Sequence, residues 1–248
     1  MDLYYEVTGT GKPIVLLHSG GADLRDWTFV APLLAENYKV IAVDGRGAGR
    51  SPSPVKPANY IQDLLDLLDH LQIPQATLVG HSMGGQIATD FALEYPERVS
   101  ELILIAPELS GFERSLEFKN WMEKVNSALP DMDKVAELSL SAPLYQITMA
   151  SPQRELIEEM LRHHLKKIGE WTTFESVWPK PAIKRLEHLS VKTLFIIGEV
   201  ELPDNKRVAE HFQRVPDIRF VLLSDADHMV TLTHPNELTH HITRFLEE

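Results

Sequence analysis

A serine set among glycines, between a strand pattern and a helix pattern, constrains the fold of this chain more than any other feature. Residues 76–79 are apolar and β-branched, and residues 86–93 have the composition of a helix. Between them the chain reads Gly80-His81-Ser82-Met83-Gly84-Gly85. A sharp strand-to-helix turn leaves almost no room for a side chain two positions before or after the serine. Gly80 and Gly84 meet that requirement, so the pattern predicts a nucleophile elbow with Ser82 at its tip.

Further strand patterns surround this turn. Short runs rich in Val, Ile and Leu occur at Leu3–Val7, Ile14–Leu17, Val40–Val43, Leu102–Ile105, Thr193–Ile197 and Arg219–Leu223. Most are nearly unbroken, as in strands buried on both faces of a parallel sheet. Helical patterns alternate with them, one opening at Asn59 and another at Pro235. This alternation predicts an α/β fold with a mostly parallel, doubly wound sheet.

The alternation stops in one long segment. Residues 108–189, hereafter the insert, contain several helical patterns and no convincing strand, and they hold three of the four tryptophans. The sequence therefore predicts two parts, a core formed by residues 1–107 and 190–248 and a helical insert over residues 108–189.

Composition excludes several classes of protein. The net charge of −12 is unfavourable for binding nucleic acid, and the chain has no cysteine for disulfides, thiolate catalysis or a Cys-based zinc site. No apolar run reaches membrane-spanning length, and residues 1–6 lack a signal-peptide pattern, so we expect a cytoplasmic protein without a membrane partner. The histidine pairs at 163–164 and 240–241 are neighbours on helices and do not converge on a ligand, so no metal site is predicted.

Ser82 needs a base, because a hydroxyl is a poor nucleophile at neutral pH, and the base needs a carboxylate that orients it. In hydrolases with this elbow the chain order is serine, acid, histidine. His228 is the best candidate base, since it follows the last predicted strand in a loop that can return over the carboxyl edge of the sheet. His81 and His211 are interpreted as structural.

Four motifs together resemble those of the α/β-hydrolase superfamily, in particular its capped small-molecule serine esterases and lactonases. They are His18-Ser19-Gly20-Gly21, the run Asp44-Gly45-Arg46-Gly47-Ala48-Gly49-Arg50-Ser51, the elbow, and Asp227-His228 followed by the helix at Pro235. The resemblance implies that the insert is a helical cap, placed after the strand in the family's sixth-strand position. It implies no cofactor.

The resemblance also implies roles for individual residues. The backbone N–H groups of Met83 and Gly20 would form an oxyanion hole, although Ser19 stands where the family usually has glycine. The family's catalytic aspartate position holds Glu201, which is the expected orienting acid. Asp204 and Glu108 remain alternatives.

The aromatic and methionine content of the insert suggests an apolar acyl or ring site. Candidate lining residues are Trp27, Trp121, Met149, Trp171, Phe174 and Trp178. We expect a serine hydrolase, monomeric or a small homo-oligomer, that cleaves a small carboxylic ester or lactone. The alternatives are a C–C bond hydrolase, a cofactor-free perhydrolase, or a small-molecule sensor that retains the triad.

Overall fold

A seven-stranded sheet organises the computed structural model, which describes residues 1–248. Its strands are β1 (Tyr5–Thr8), β2 (Pro13–Leu17), β3 (Lys39–Val43), β4 (Ala76–His81), β5 (Val99–Ile105), β6 (Thr193–Gly198) and β7 (Ile218–Leu223). They lie in the order β1-β3-β2-β4-β5-β6-β7, and only β1 is antiparallel to its neighbour. The predicted strands and the mostly parallel sheet are confirmed, and β4, which leads into Ser82, lies at the centre.

Ten α-helices connect and cover the strands. They are α1 (Ala31–Leu34), α2 (Tyr60–His70), α3 (Met83–Glu94), α4 (Leu116–Asn126), α5 (Met132–Leu140), α6 (Gln146–Met149), α7 (Arg154–Ile168), α8 (Pro203–Phe212), α9 (Val230–Thr233) and α10 (Pro235–Leu246). The predicted starts near Asn59 and Pro235 match α2 and α10, and the Asn59 side chain accepts a hydrogen bond from the Gln62 N–H. None of these helices combines the length and the apolar character needed to cross a membrane.

Apolar clusters cover both faces of the sheet, as a doubly wound fold requires. Leu78 of β4 belongs to the cluster that includes α2, α3 and α8, and the next residue, Val79, belongs to the cluster that includes α1 and α10. Both are fully buried. This two-sided packing holds the carboxyl edge of β4 rigidly in place.

The chain between β5 and β6 contains α4 to α7, in agreement with the expectation of a helical insert. A small cluster packs Leu140, Ile157 and Met160 of the insert against Met229 and Leu232 of the core. The insert therefore lies over the loops at the carboxyl edge of the sheet. The boundaries at residues 107/108 and 189/190 stay a prediction.

Candidate active site

Ser82 sits at a strained turn between β4 and α3. Its φ of 52° and ψ of −113° fall where a residue with a side chain is rarely found. A Cβ at Gly80 would lie 2.4 Å from the Gly84 carbonyl oxygen, and one at Gly84 would lie 2.1 Å from the carbonyl oxygen of Leu17. The two glycines are therefore required by close backbone approach, and the turn leaves the Ser82 hydroxyl without a capping hydrogen bond to its own helix.

His228 and Glu201 meet near this turn, since the His228 ring lies 5.0 Å, between centroids, from the ring of His81, the residue before Ser82. The Nδ1 atom of His228 lies 2.7 Å from Oε1 of Glu201, and both side chains are almost fully buried. A carboxylate accepts this hydrogen bond from Nδ1–H, so the neutral ring keeps its lone pair on Nε2. This is the tautomer that a general base needs.

The other two candidate acids bond elsewhere. Asp204 accepts hydrogen bonds from the Ser115 N–H at 2.9 Å and from the Arg207 guanidinium at 3.1 Å. Glu108 pairs with Arg114 at 3.1 Å. Of the three carboxylates, only Glu201 is hydrogen-bonded to the imidazole of His228.

The surroundings of His228 favour its charged form. Burial by itself would lower the pKa of His228, but the Glu201 carboxylate and its hydrogen bond outweigh burial, with smaller help from Glu108 and Asp26, so the pKa is raised. The Tyr145 ring stands edge-on to the imidazole, with ring centroids 6.3 Å apart. Burial, reinforced by the nearby carboxylates, raises the pKa of the Tyr145 phenol, so this group is uncharged at neutral pH.

A buried cluster of hydrogen bonds ties the loops of the site together. Asp26 accepts hydrogen bonds from the Ser19 N–H at 2.9 Å and from the Thr231 hydroxyl at 2.6 Å, and it contacts Nδ1 of His81 at 2.8 Å. The other His81 nitrogen lies 2.9 Å from the His228 carbonyl oxygen. Both ring nitrogens of His81 therefore face oxygen atoms, one of Asp26 and one of the His228 backbone. His81 has the structural position expected for it, and it links the elbow to the loop of His228.

The predicted oxyanion loop lies against the elbow. A Cβ at Gly20 would be 3.7 Å from the Cβ of Met83, so the loop at Gly20 is in contact with the first residue of α3. Met83 is the first residue of α3, where the N–H has no partner within the helix. The Gly20 N–H makes no backbone hydrogen bond either. Two N–H groups without a backbone acceptor thus lie on neighbouring segments, one at Gly20 and one directly after Ser82.

A cavity of about 160 Å³ opens beside Gly20 and runs beneath the insert. Its lining is mostly apolar and contains no charged residue: Ser19, Gly20, Gly21, Ala22, Trp121, Ser139, Leu140, Tyr145, Ile157, Met160, Leu161 and Met229. A larger groove of about 610 Å³ lies on the insert, and its wall is mainly charged. Neither lining includes Ser82, His228 or Glu201, and only the smaller cavity borders the predicted oxyanion loop, at Gly20.

Of the predicted pocket residues, Trp121 alone lines the cavity beside Gly20. Trp27 is fully buried in the apolar cluster with α1 and α10, because its large ring fills the core below the sheet. Met149 lines the charged groove instead.

The remaining three aromatic residues pack along the outer part of the insert. Trp171 covers Gly47, Phe174 stacks on Trp171 and is 71% exposed, and Trp178 packs on Tyr60. The structure therefore places Trp27, Met149, Trp171, Phe174 and Trp178 outside the cavity wall.

Sequence reasoning missed several residues of the site. Asp227 is fully buried and accepts hydrogen bonds from the backbone N–H and the hydroxyl of Thr148, each at 2.7 Å. The His228 N–H donates to the Leu144 carbonyl at 3.1 Å. Tyr145 lies between these two contacts. No local pattern distinguishes these insert residues, although the adjacent pair Asp227-His228 was a signal that both side chains have a role. No three His, Asp or Glu side chains converge to hold a metal ion.

Comparisons with known proteins identify the family and support the fold. The family described as alpha/beta hydrolase fold matches residues 12–235. A pimeloyl-[acyl-carrier protein] methyl ester esterase of Legionella pneumophila is 28% identical, over 94% of this chain and 95% of its own. A putative 2-succinyl-6-hydroxy-2,4-cyclohexadiene-1-carboxylate synthase of Bacillus subtilis is 26% identical, over 97% and 92%. The structure of a thermophilic esterase from Thermogutta terrifontis superposes with a TM-score of 0.80 at 25% identity, covering 99% of this chain and 93% of that one.

Proposed function

Because this chain belongs to the alpha/beta hydrolase family, we propose that it is a serine hydrolase that cleaves a small carboxylic ester or lactone through an acyl-enzyme. Ser82 is the nucleophile, His228 the base and Glu201 the orienting acid in this proposal. The observation that carries it is the hydrogen bond between His228 and Glu201, beside a serine held in a strained elbow.

In the acylation step the Ser82 hydroxyl attacks the ester carbonyl carbon while Nε2 of His228 takes its proton. The tetrahedral intermediate collapses, and His228 returns that proton to the leaving alcohol oxygen. In a lactone this oxygen stays tethered to the acyl group. Water, deprotonated by His228, then attacks the acyl carbon and releases the acid from Ser82. Glu201 stabilises the imidazolium at each stage, in keeping with the raised pKa of His228.

The N–H groups of Met83 and Gly20 donate to the oxyanion of each tetrahedral intermediate. Donors fixed in this way stabilise charge that develops only in the transition state, and each is worth on the order of 10²–10³ in rate. The contact between the two residues supports the pair, since a Cβ at Gly20 would lie 3.7 Å from the Met83 Cβ.

The cavity beside Gly20 supports a small, uncharged acyl group as the preferred substrate. Its volume of about 160 Å³ is close to that of an engineered protein cavity that binds benzene, about 150 Å³. An acyl chain of a few carbons or a single ring fits, and the absence of charged side chains in the wall disfavours an ionised acyl group. In this proposal the insert acts as the cap that closes the cavity.

Turnover of a panel of p-nitrophenyl esters and lactones tests the function. We expect activity on acyl groups that fit the cavity, with a loss beyond about 10³-fold in Ser82→Ala. Ser139→Ala, which removes a hydroxyl from the same cavity wall, is the matched control and should retain the esterase activity. If native protein and Ser82→Ala are equally inactive on every ester, the proposal is wrong. Activity on diketones or in perhydrolysis alone would assign a sister chemistry to the same residues.

A further inference from the structure

A chain of hydrogen bonds leads from the candidate triad into the first residues of the insert. The second oxygen of Glu201, Oε2, accepts a hydrogen bond from the Asn205 amide at 2.6 Å. The Asn205 carbonyl oxygen accepts one from the Arg114 guanidinium at 3.0 Å, and Arg114 also donates to Glu108 at 3.1 Å. These residues lie on the loop after β6, on α8, and on the segment between β5 and α4.

The orientation of the Asn205 amide is decided by its two charged neighbours. An amide has one accepting end and one donating end, and here the carbonyl faces a guanidinium while the NH2 group faces a carboxylate. The reversed amide would set a carbonyl against the Glu201 carboxylate and an NH2 group against Arg114. Arg114 thus favours the rotamer in which Asn205 holds Glu201.

These side chains are largely shielded from water, so their hydrogen bonds are not easily replaced. Asn205 and Glu201 are buried, and the Arg114 side chain is only 19% exposed. The Arg114 guanidinium lies 4.7 Å from the Phe118 ring centroid of α4, so the insert itself helps to keep it in place. A hydrogen bond among buried groups costs more to lose than one at the surface, because no water replaces it.

We propose that Arg114 and Asn205 are positioning residues that couple the insert to the triad, with Arg114 fixing the Asn205 amide and Asn205 fixing the carboxylate of Glu201. This inference rests on the proposed function of Glu201 and His228. The proposal explains why residue 201 is a glutamate, since its second carboxylate oxygen reaches Asn205 in the first turn of α8.

Arg114 also neutralises a carboxylate near the base. The groups that raise the pKa of His228 include Glu201, then Glu108 and Asp26, while burial opposes them. Buried Asp227 lies next to His228 in the chain, the His81 ring lies 5.0 Å from the imidazole between centroids, and the Tyr145 phenol faces the imidazole but is uncharged at neutral pH. Of these groups only Glu108 is paired with Arg114. Removal of Arg114 leaves the Glu108 charge unpaired and strengthens its effect on His228.

The test compares Arg114→Met with Arg185→Met. Arg185 is a matched control, since its side chain is 21% exposed and pairs with Glu94 at 2.7 Å, away from Glu201. We expect Arg114→Met to lower kcat about 10-fold with little change in KM, and to move the acidic limb of kcat/KM about half a pH unit higher. Arg185→Met should keep both the kcat and the position of the limb, even if it lowers the melting temperature.

Two further variants separate positioning from charge. Adding Glu108→Gln to Arg114→Met should return the acidic limb towards its native pH while kcat stays low, because the Asn205 amide is still unfixed. The single variant Asn205→Leu, in which Arg114 is retained, should also lower kcat. Arg114→Lys, which restores the charge and one donor, should recover part of the loss in kcat.

A histidine NMR titration of the folded protein makes the result independent of turnover, with His228→Gln used to assign the signal. We expect the His228 ring to titrate at higher pH in Arg114→Met than in the native protein or Arg185→Met. An unchanged His228 titration, or equal kcat losses in Arg114→Met and Arg185→Met, would overturn the coupling. If the native protein hydrolyses no ester, the proposed function fails, and this titration still decides whether Arg114 acts on His228.

Discussion

Replacing Glu201 by aspartate, the residue usual in the family, should impair the enzyme rather than restore it. The Glu201 carboxylate has two contacts, with His228 at 2.7 Å and with Asn205 at 2.6 Å. The backbone around it is fixed, since the Val200 N–H bonds to the Ala226 carbonyl at 2.9 Å and Pro203 opens α8. The carboxylate cannot advance to compensate for a shorter side chain.

The magnitude follows from the geometry. Removing one methylene withdraws the carboxylate by about 1.5 Å, which extends both contacts to about 4 Å, beyond hydrogen-bonding range. A buried hydrogen bond to a charged group contributes about 1.5–3 kcal/mol, and its loss in the transition state lowers kcat/KM by a factor of about 10–150. Glu201→Gln keeps the length but loses the charge and should cost about 10³–10⁴, as in other triads.

The assay is kcat/KM on the best p-nitrophenyl ester, with the melting temperature measured in parallel. Glu199→Asp is the matched control, because this residue lies in the same loop but is exposed and does not contact His228. We expect native activity in Glu199→Asp, an intermediate loss in Glu201→Asp and the largest loss in Glu201→Gln. Native kcat/KM in Glu201→Asp would refute the reasoning, since the loop would then be free to adjust.

Three other measurements test separate features. The raised pKa of His228 implies that the acidic limb of kcat/KM lies above pH ~6.5, the ordinary value for histidine, and a limb below that pH would contradict it. Burial raises the pKa of Asp90 to about 6, despite the Ser110 hydrogen bond and the nearby Arg185. When a carboxyl has a higher pKa in the folded than in the unfolded state, the free energy of unfolding falls as the pH rises between those two pKa values, by about 1.4 kcal/mol per pKa unit. Removing the charge with Asp90→Asn should therefore stabilise the protein by about 2 kcal/mol at pH 8, a value that already includes a cost of about 1 kcal/mol for the unpaired amide. At pH 4 the same substitution should give no gain. Urea unfolding at the two pH values measures both free energies. Gly84→Ala, whose Cβ would meet the Leu17 carbonyl oxygen at 2.1 Å, should abolish folding or strongly lower the melting temperature in circular dichroism.

Local patterns predicted the elements that carry the candidate site. The elbow and the strands depend on residues close to one another in sequence, and each has a distinct pattern of side chains, whereas the assignment of Glu201 comes from its match to a family motif. The contacts that support these residues span much longer stretches: Arg114 and Asn205 are 91 residues apart, and Thr148 and Asp227 are 79 apart. Such pairs depend on how the insert folds back over the sheet, which no local pattern specifies.

The aromatic residues show the same limit of prediction from sequence. A tryptophan suits a pocket wall and a core equally well, since both bury its ring. Only the packing of the sheet placed Trp27 in the core and left Trp121 beside the cavity. Composition predicted an apolar site in general, while the choice of residues needed the three-dimensional structure.

The contacts of the His228 loop with residues 144–148 bear on how such enzymes can be recombined. Asp227 is hydrogen-bonded to Thr148, and the His228 backbone to Leu144, so the segment of the insert that surrounds Tyr145 anchors the loop of His228, the proposed base. A chimera that exchanges the whole insert for that of a relative would also remove the anchors of this loop. A graft that retains residues 142–150 and exchanges α4, α5 and α7 would alter the cavity wall while leaving the base where it is. The useful crossover points for changing substrate preference therefore lie inside the insert, on either side of α6.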